Sequence, residues 1–130
     1  MAKKRIRIID DTADITESLK LYLERTGAYE VRIERTGEAG LQAVAEFRPD
    51  LVLLDVVMPG MSGDHVAAAL EQDETAKGIP VVFLTATVTH RELAGRGGMI
   101  GGRPFLSKLT PLNQIIEYIE AMLHPKARQG

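Results

Sequence analysis

No cysteine occurs in the chain, which excludes a disulfide framework, a thiol nucleophile and a cysteine-held metal site. No apolar run reaches the roughly 18 residues that a membrane-spanning helix needs. Charge of one sign is not in excess either. Sixteen basic and 18 acidic residues leave a net charge of -2, which gives no electrostatic ground for binding nucleic acid or a membrane. The opening Met-Ala-Lys-Lys-Arg runs straight into a strand rather than into the apolar stretch of a signal peptide, so a cytoplasmic location is expected. His65, His90 and His124 match no metal-ligand spacing and read as surface residues. What is present is ordinary globular material. The 130 residues are 45% hydrophobic and 26% charged, enough for one domain with one core.

The chain is organised around residues 51–63, which begin Leu51-Val-Leu-Leu-Asp55 and run through Pro59 to Gly63. The apolar part reads as a strand buried on both faces, the mark of a central parallel strand. Asp55 stands where that strand ends. An unpaired buried charge costs several kcal/mol, so its carboxylate must face water or a cation at the strand's carboxyl end. In an open parallel α/β sheet, that edge is where ligands bind.

The rest alternates. Residues 5–9 are a β-branched strand ending in Asp10-Asp11-Thr12, followed over 13–26 by helical spacing of Ile15, Leu19, Tyr22 and Leu23, which Gly27 stops. Residues 29–34 alternate strictly and predict a half-buried edge strand. Thr36 caps a helix whose Leu41, Val44 and Phe47 face inward, and Pro49 closes it. After the Asp55 strand, Gly63 opens a helix carrying Val66, Ala67 and Leu70. Residues 79–85 form a second buried strand.

Five glycines between Gly95 and Gly102 leave only a short, frayed helix over 88–102. Residues 104–106 are a brief strand that Pro104 marks as an edge. Thr110 caps and Pro111 opens a last helix, with Leu112, Ile115, Ile116, Ile119, Met122 and Leu123 as its stripe. His124 to Gly130 is a polar tail. Five strands alternating with five helices predict an α/β, flavodoxin-like, doubly wound parallel sheet of order 2-1-3-4-5, with its switch point between the first and third strands.

That topology gathers Asp10, Asp11, Asp55, Thr85 and Lys108 on one rim. Three converging carboxylates repel one another unless a cation joins them, and hard oxygen ligands suit Mg²⁺. A lysine and a threonine hydroxyl opposite them can hold a phosphoryl group, and Asp55 can attack phosphorus to give an acyl phosphate.

Asp10-Asp11, Asp55-Val-Val-Met-Pro59 with Gly63, Thr85-Ala86, Phe105 and Lys108 resemble the receiver domain of two-component response regulators. The resemblance spans roughly residues 4–123 and gives a receiver over 1–123 with a tail at 124–130. It implies Asp55 as phosphoacceptor, taking the phosphoryl group from a histidine kinase or histidine phosphotransfer protein. The transfer would be self-catalysed, so the protein would not be an enzyme. Mg²⁺ would be held by Asp11 and Asp55 directly, by Asp10 through water and by the backbone carbonyl of Val57.

Thr85, Lys108 and the backbone of Ala86 would contact the phosphoryl oxygens, with Thr85 and Phe105 as the switch pair. Val57 and Thr87 flank the phosphoryl site in the family. Val57 cannot position a hydrolytic water through its side chain, so a long-lived acyl phosphate is expected. The chain ends just after its last helix, so output is expected to pass through a separate protein.

Two features depart from the family. Leu109 stands where the family usually has a proline after its lysine, in a cis bond. Such a bond before a non-proline residue costs about 2.5–4 kcal/mol, so Lys108–Leu109 is either strained or trans. The glycine-rich stretch lies where the family has its fourth helix. The alternatives are a receiver that only binds partners, a Mg²⁺-dependent phosphatase with an aspartyl intermediate, and a flavin mononucleotide binder. The phosphatase reading expects Asp-x-Asp after the first strand, where this chain has Asp10-Asp11-Thr12. The flavin reading expects a phosphate loop, which two aspartates there oppose.

Overall fold

The computed structural model describes residues 3–13, 15–58, 60–87, 91–92, 95, 98–100 and 103–124. The three strands richest in aliphatic residues lie at the centre of the sheet: β1 (Lys4–Ile9), β3 (Leu51–Asp55) and β4 (Val81–Thr85). All five residues of β3 are buried. β2 (Tyr29–Glu34) takes one edge, as its alternation predicts. β6 (Arg103–Ser107) pairs with the far side of β4, and the two-residue β5 (Met99–Ile100) covers the outer edge of β6.

The order is therefore β2-β1-β3-β4-β6-β5. Its first five members reproduce the expected 2-1-3-4-5 arrangement, all parallel. Four helices complete the described elements: α1 (Thr16–Arg25), α2 (Gly37–Phe47), α3 (Gly63–Gln72) and α4 (Leu112–Leu123).

The sixth strand corrects the five-stranded expectation. Met99 pairs with Pro104 and Ile100 with Arg103, antiparallel. Only Gly101 and Gly102 separate Ile100 from Arg103 in sequence, and so short a connection suits antiparallel partners alone. Part of the stretch that reads as a frayed helix, Met99–Ile100, is thus a strand. Most of 88–98 lies outside the described residues, and so does most of the fifth helix expected there. Arg91 and Glu92 within it are helical.

Helices cover both faces. One apolar layer joins Ile6, Ile8, Leu53 and Leu84 of the sheet to Leu19 and Leu23 of α1 and to Ile115 and Ile119 of α4. The other joins Ile9, Val52, Leu54 and Phe83 to Val44 of α2 and to Val66 and Leu70 of α3.

Two side chains expected inside are exposed. Tyr22 lies beside Arg25, and the ring of Phe47 covers the buried guanidinium of Arg7 at 4.7 Å. Thr36 and Ser62 cap α2 and α3 through their hydroxyls. Thr110 does not cap α4. The helix begins one residue late with Pro111 at the cap, and the Thr110 hydroxyl is buried without a partner. His124, counted with the tail, is hydrogen-bonded through Nε2 to the Tyr29 hydroxyl at 3.1 Å. Residues 125–130 lie outside the described residues.

Candidate functional site

Strand register builds the site. Ile9 lies beside Leu54, Asp55 beside Leu84 and Thr85 beside Ser107, so the residues that end or follow β1, β3, β4 and β6 reach one rim. Carboxylate oxygens of Asp10, Asp11 and Asp55 lie within 4.8 Å of one another. Asp10 is fully buried and Asp55 is 7% exposed. Lys108 enters from the opposite side, with Nζ 2.6 Å from Asp10 Oδ2 and 3.8 Å from Asp55 Oδ1.

Burial pushes the Asp55 carboxyl up to about 7, and the charge of Asp10 adds to the shift while Lys108 opposes it. One lysine thus faces a cluster of three carboxylates. The donor set, all hard oxygens opening on a cavity of about 520 Å³, fits a divalent cation that keeps part of its water.

The cavity is lined by Asp11, Asp55, Val57, Thr85, Ala86 and Lys108, among others. Of the expected site residues, the structure thus brings all of these together with Asp10. The Val57 side chain is 73% exposed at the mouth. Phe105 lies elsewhere, in the α2–α3 layer, with its ring 5.0 Å from that of Phe83. The Thr85 hydroxyl is engaged by Thr87, whose Oγ1 is 2.9 Å away and whose backbone N–H donates to it at 3.2 Å.

No cis peptide occurs among the described residues, so Lys108–Leu109 is trans. The turn is fixed by other means. Lys108 N–H donates to the Thr85 carbonyl at 2.7 Å, and Leu109 N–H donates to Ser107 Oγ at 3.0 Å. A proline at 109 has no N–H for the second bond.

Gly63 sets the approach of α3. Its N–H donates to the Val56 carbonyl at 2.9 Å, and a Cβ there would stand 2.4 Å from the Asp55 carbonyl oxygen. Two contributors, Thr12 and Arg35, escaped the sequence reading. Thr12 donates to Asp10 Oδ1 from its N–H at 3.1 Å and its hydroxyl at 3.0 Å, and lies 3.4 Å from Lys108 Nζ. Arg35 grips the Asp10–Thr12 segment, and Thr87, expected beside the phosphoryl site, holds Thr85. Register could have revealed Arg35: Glu34 pairs with Ile9, so the next residue falls beside Asp10.

Residues 6–120 match the family profile of the response regulator receiver domain. The chain belongs to that family. Among curated relatives, this receiver is 42% identical over 84 residues to the DNA-binding response regulator MtrA of Mycolicibacterium paratuberculosis, covering 65% of this chain and 36% of that protein. It is 32% identical over 123 residues to the phosphate regulon transcriptional regulatory protein PhoB of Pseudomonas aeruginosa, covering 95% of this chain and 53% of that protein. The receiver therefore spans about half or less of these relatives. Among solved structures, a CheY-like receiver domain protein from Methanospirillum hungatei superposes with a TM-score of 0.77 at 25% identity, over 99% of this chain and all of that one. The chain is thus a response regulator receiver of two-component signalling with a flavodoxin-like sheet. Among the described residues no helix is long and apolar enough to cross a membrane.

Proposed function

We propose that this receiver takes a phosphoryl group onto Asp55, with Mg²⁺ held by Asp10, Asp11, Asp55 and the Val57 backbone carbonyl. The observation that carries the reading is the meeting of three carboxylates within 4.8 Å, opposite a buried lysine, in an open cavity. Bound Mg²⁺ would supply charge neutralisation for the incoming phosphoryl oxygens.

The chain's own groups do the rest. An Asp55 carboxylate oxygen attacks phosphorus while the bond from phosphorus to the donor nitrogen or oxygen breaks. The leaving imidazole takes up a proton from water; a leaving acetate needs none. Lys108, Thr85 and the Ala86 backbone meet the phosphoryl oxygens. Turning Thr85 toward them means giving up its contact with Thr87, and Phe105 follows as the second member of the switch.

The protein acts as a phosphoacceptor rather than as an enzyme that turns over. Its donor is a histidine kinase or histidine phosphotransfer protein in the cytoplasm. A phosphoryl group brings about -1.5 to -2 charges, which shifts the population toward a state that binds an output protein. Intact mass after incubation with acetyl phosphate tests the reading. One phosphoryl adduct is expected with Mg²⁺, and none with EDTA or in Asp55→Ala. An adduct that persists in Asp55→Ala overturns it.

A further inference from the structure

Arg35 follows β2 and points back across the top of β1. Its Nη1 donates to the Asp10 carbonyl at 3.1 Å, to the Thr12 carbonyl and to Thr16 Oγ1 at 3.2 Å. Its Nη2 meets Glu17 Oε2 at 2.6 Å. One guanidinium therefore holds the strand end, the acidic turn and the first turn of α1. Ile15 gives α1 no side-chain cap, and besides Arg35 the turn is tied by Thr12 donating to Asp10 Oδ1 from its N–H at 3.1 Å and its hydroxyl at 3.0 Å, by Thr16 Oγ1 donating to the Thr12 carbonyl at 3.2 Å, and by Asp10 N–H on the Glu34 carbonyl at 3.0 Å.

We infer that Arg35 is a positioning residue for the cation site: it fixes the Asp10–Thr12 turn so that Asp10 and Asp11 face Asp55. The inference rests on the cation site proposed above. Its planar fork can bond several acceptors at once in fixed directions, which a lysine ammonium cannot reproduce. Groups that orient metal ligands from behind typically matter 10–100-fold in metal affinity.

The sign of the effect separates positioning from charge. Arg35 is a cation beside an acidic site, so by charge alone Arg35→Gln would bind a divalent ion more tightly, and Arg35→Lys would be unchanged. Positioning requires the reverse: both variants bind more weakly, by about 10-fold.

The probe is Mn²⁺, titrated into the full chain and read from the loss of its free paramagnetic resonance signal. Alongside it, the Mg²⁺ dependence of acetyl phosphate labelling should move to higher Mg²⁺ with its plateau rate retained, a split that general destabilisation does not produce. Arg35→Lys, which keeps the charge and the aliphatic stem, carries the test if Arg35→Gln does not fold. Wild-type binding with both variants equal or tighter overturns the inference alone. A wild type that binds no Mn²⁺ overturns the cation site and the inference together.

Discussion

The Lys108 ammonium lies 2.6 Å from Asp10 Oδ2, and both side chains are withdrawn from water, at 6% and 0% exposure. In the cation-free protein this lysine is the positive charge that lets an acidic cluster exist below the surface. Removing one partner of a buried pair typically costs about 3–5 kcal/mol, because the other is left uncompensated. Lys108→Met is therefore expected to lower stability by that order in EDTA. Mg²⁺ should raise its Tm by more than it raises the wild type's, since the competing ammonium is gone. Equal Mg²⁺ shifts in the two proteins would mean that lysine and metal do not share the site.

A second expectation concerns pH. Asp55 has its carboxyl pushed up to about 7 in the folded, cation-free protein, chiefly by burial, against an unfolded value near 4. The folded state thus holds this proton more tightly than the unfolded state does. Its contribution is most favourable below about pH 4 and is lost as pH rises through about 7. Tm in EDTA should fall between about pH 5 and about pH 8 more steeply for the wild type than for Asp55→Asn. Mg²⁺ affinity should rise over the same window, because the ligand must be deprotonated. Parallel Tm curves for the two proteins would contradict this.

Two glycines allow packing to be separated from chemistry. A Cβ on Gly63 would meet the Asp55 carbonyl oxygen at 2.4 Å, whereas one on Gly40 would meet Ile9 Cδ1 at 2.5 Å, within the apolar layer. Overpacking of this kind typically costs about 1–3 kcal/mol. Both alanine variants should lose stability in that range by denaturant unfolding. Gly63→Ala should also slow labelling of Asp55 by acetyl phosphate, because backbone beside the acceptor has to move, while Gly40→Ala should not.

How far the sequence could be read depends on which residues carry the information. The aliphatic runs 51–54 and 81–84 and the stripe on α4 locate the core because burial is written directly into residue type. Asp10, Asp11, Asp55, Thr85 and Lys108 could be placed on one rim because each ends or follows a strand whose neighbours the topology dictates. Side-chain pairings that cross between elements were legible only through strand register. Arg35 reaches Asp10 through side-chain length and strand register, neither of which shows in local periodicity. The strand at Met99–Ile100 is hidden because two residues are too short to show an alternating pattern among so many glycines. Phe47 has helical spacing yet lies over Arg7, because an exposed ring face can cover a buried cation.

Val57 bears on the lifetime of the phosphorylated form. Its side chain is exposed at the mouth of the cavity and offers no hydrogen-bonding group to a water molecule. The acyl phosphate should therefore decay slowly, and Val57→Asn should shorten its lifetime. Decay followed by mass after removal of excess acetyl phosphate checks this. Faster decay in the wild type than in Val57→Asn would contradict it.

The most direct test of the central claim is to locate the phosphoryl group. After labelling with acetyl phosphate and Mg²⁺, borohydride reduces an aspartyl phosphate to homoserine, which peptide mass mapping assigns to one position. The account predicts homoserine at position 55 and nowhere else, with none formed in EDTA. Homoserine at position 10 or 11, or labelling indifferent to Mg²⁺, would contradict it.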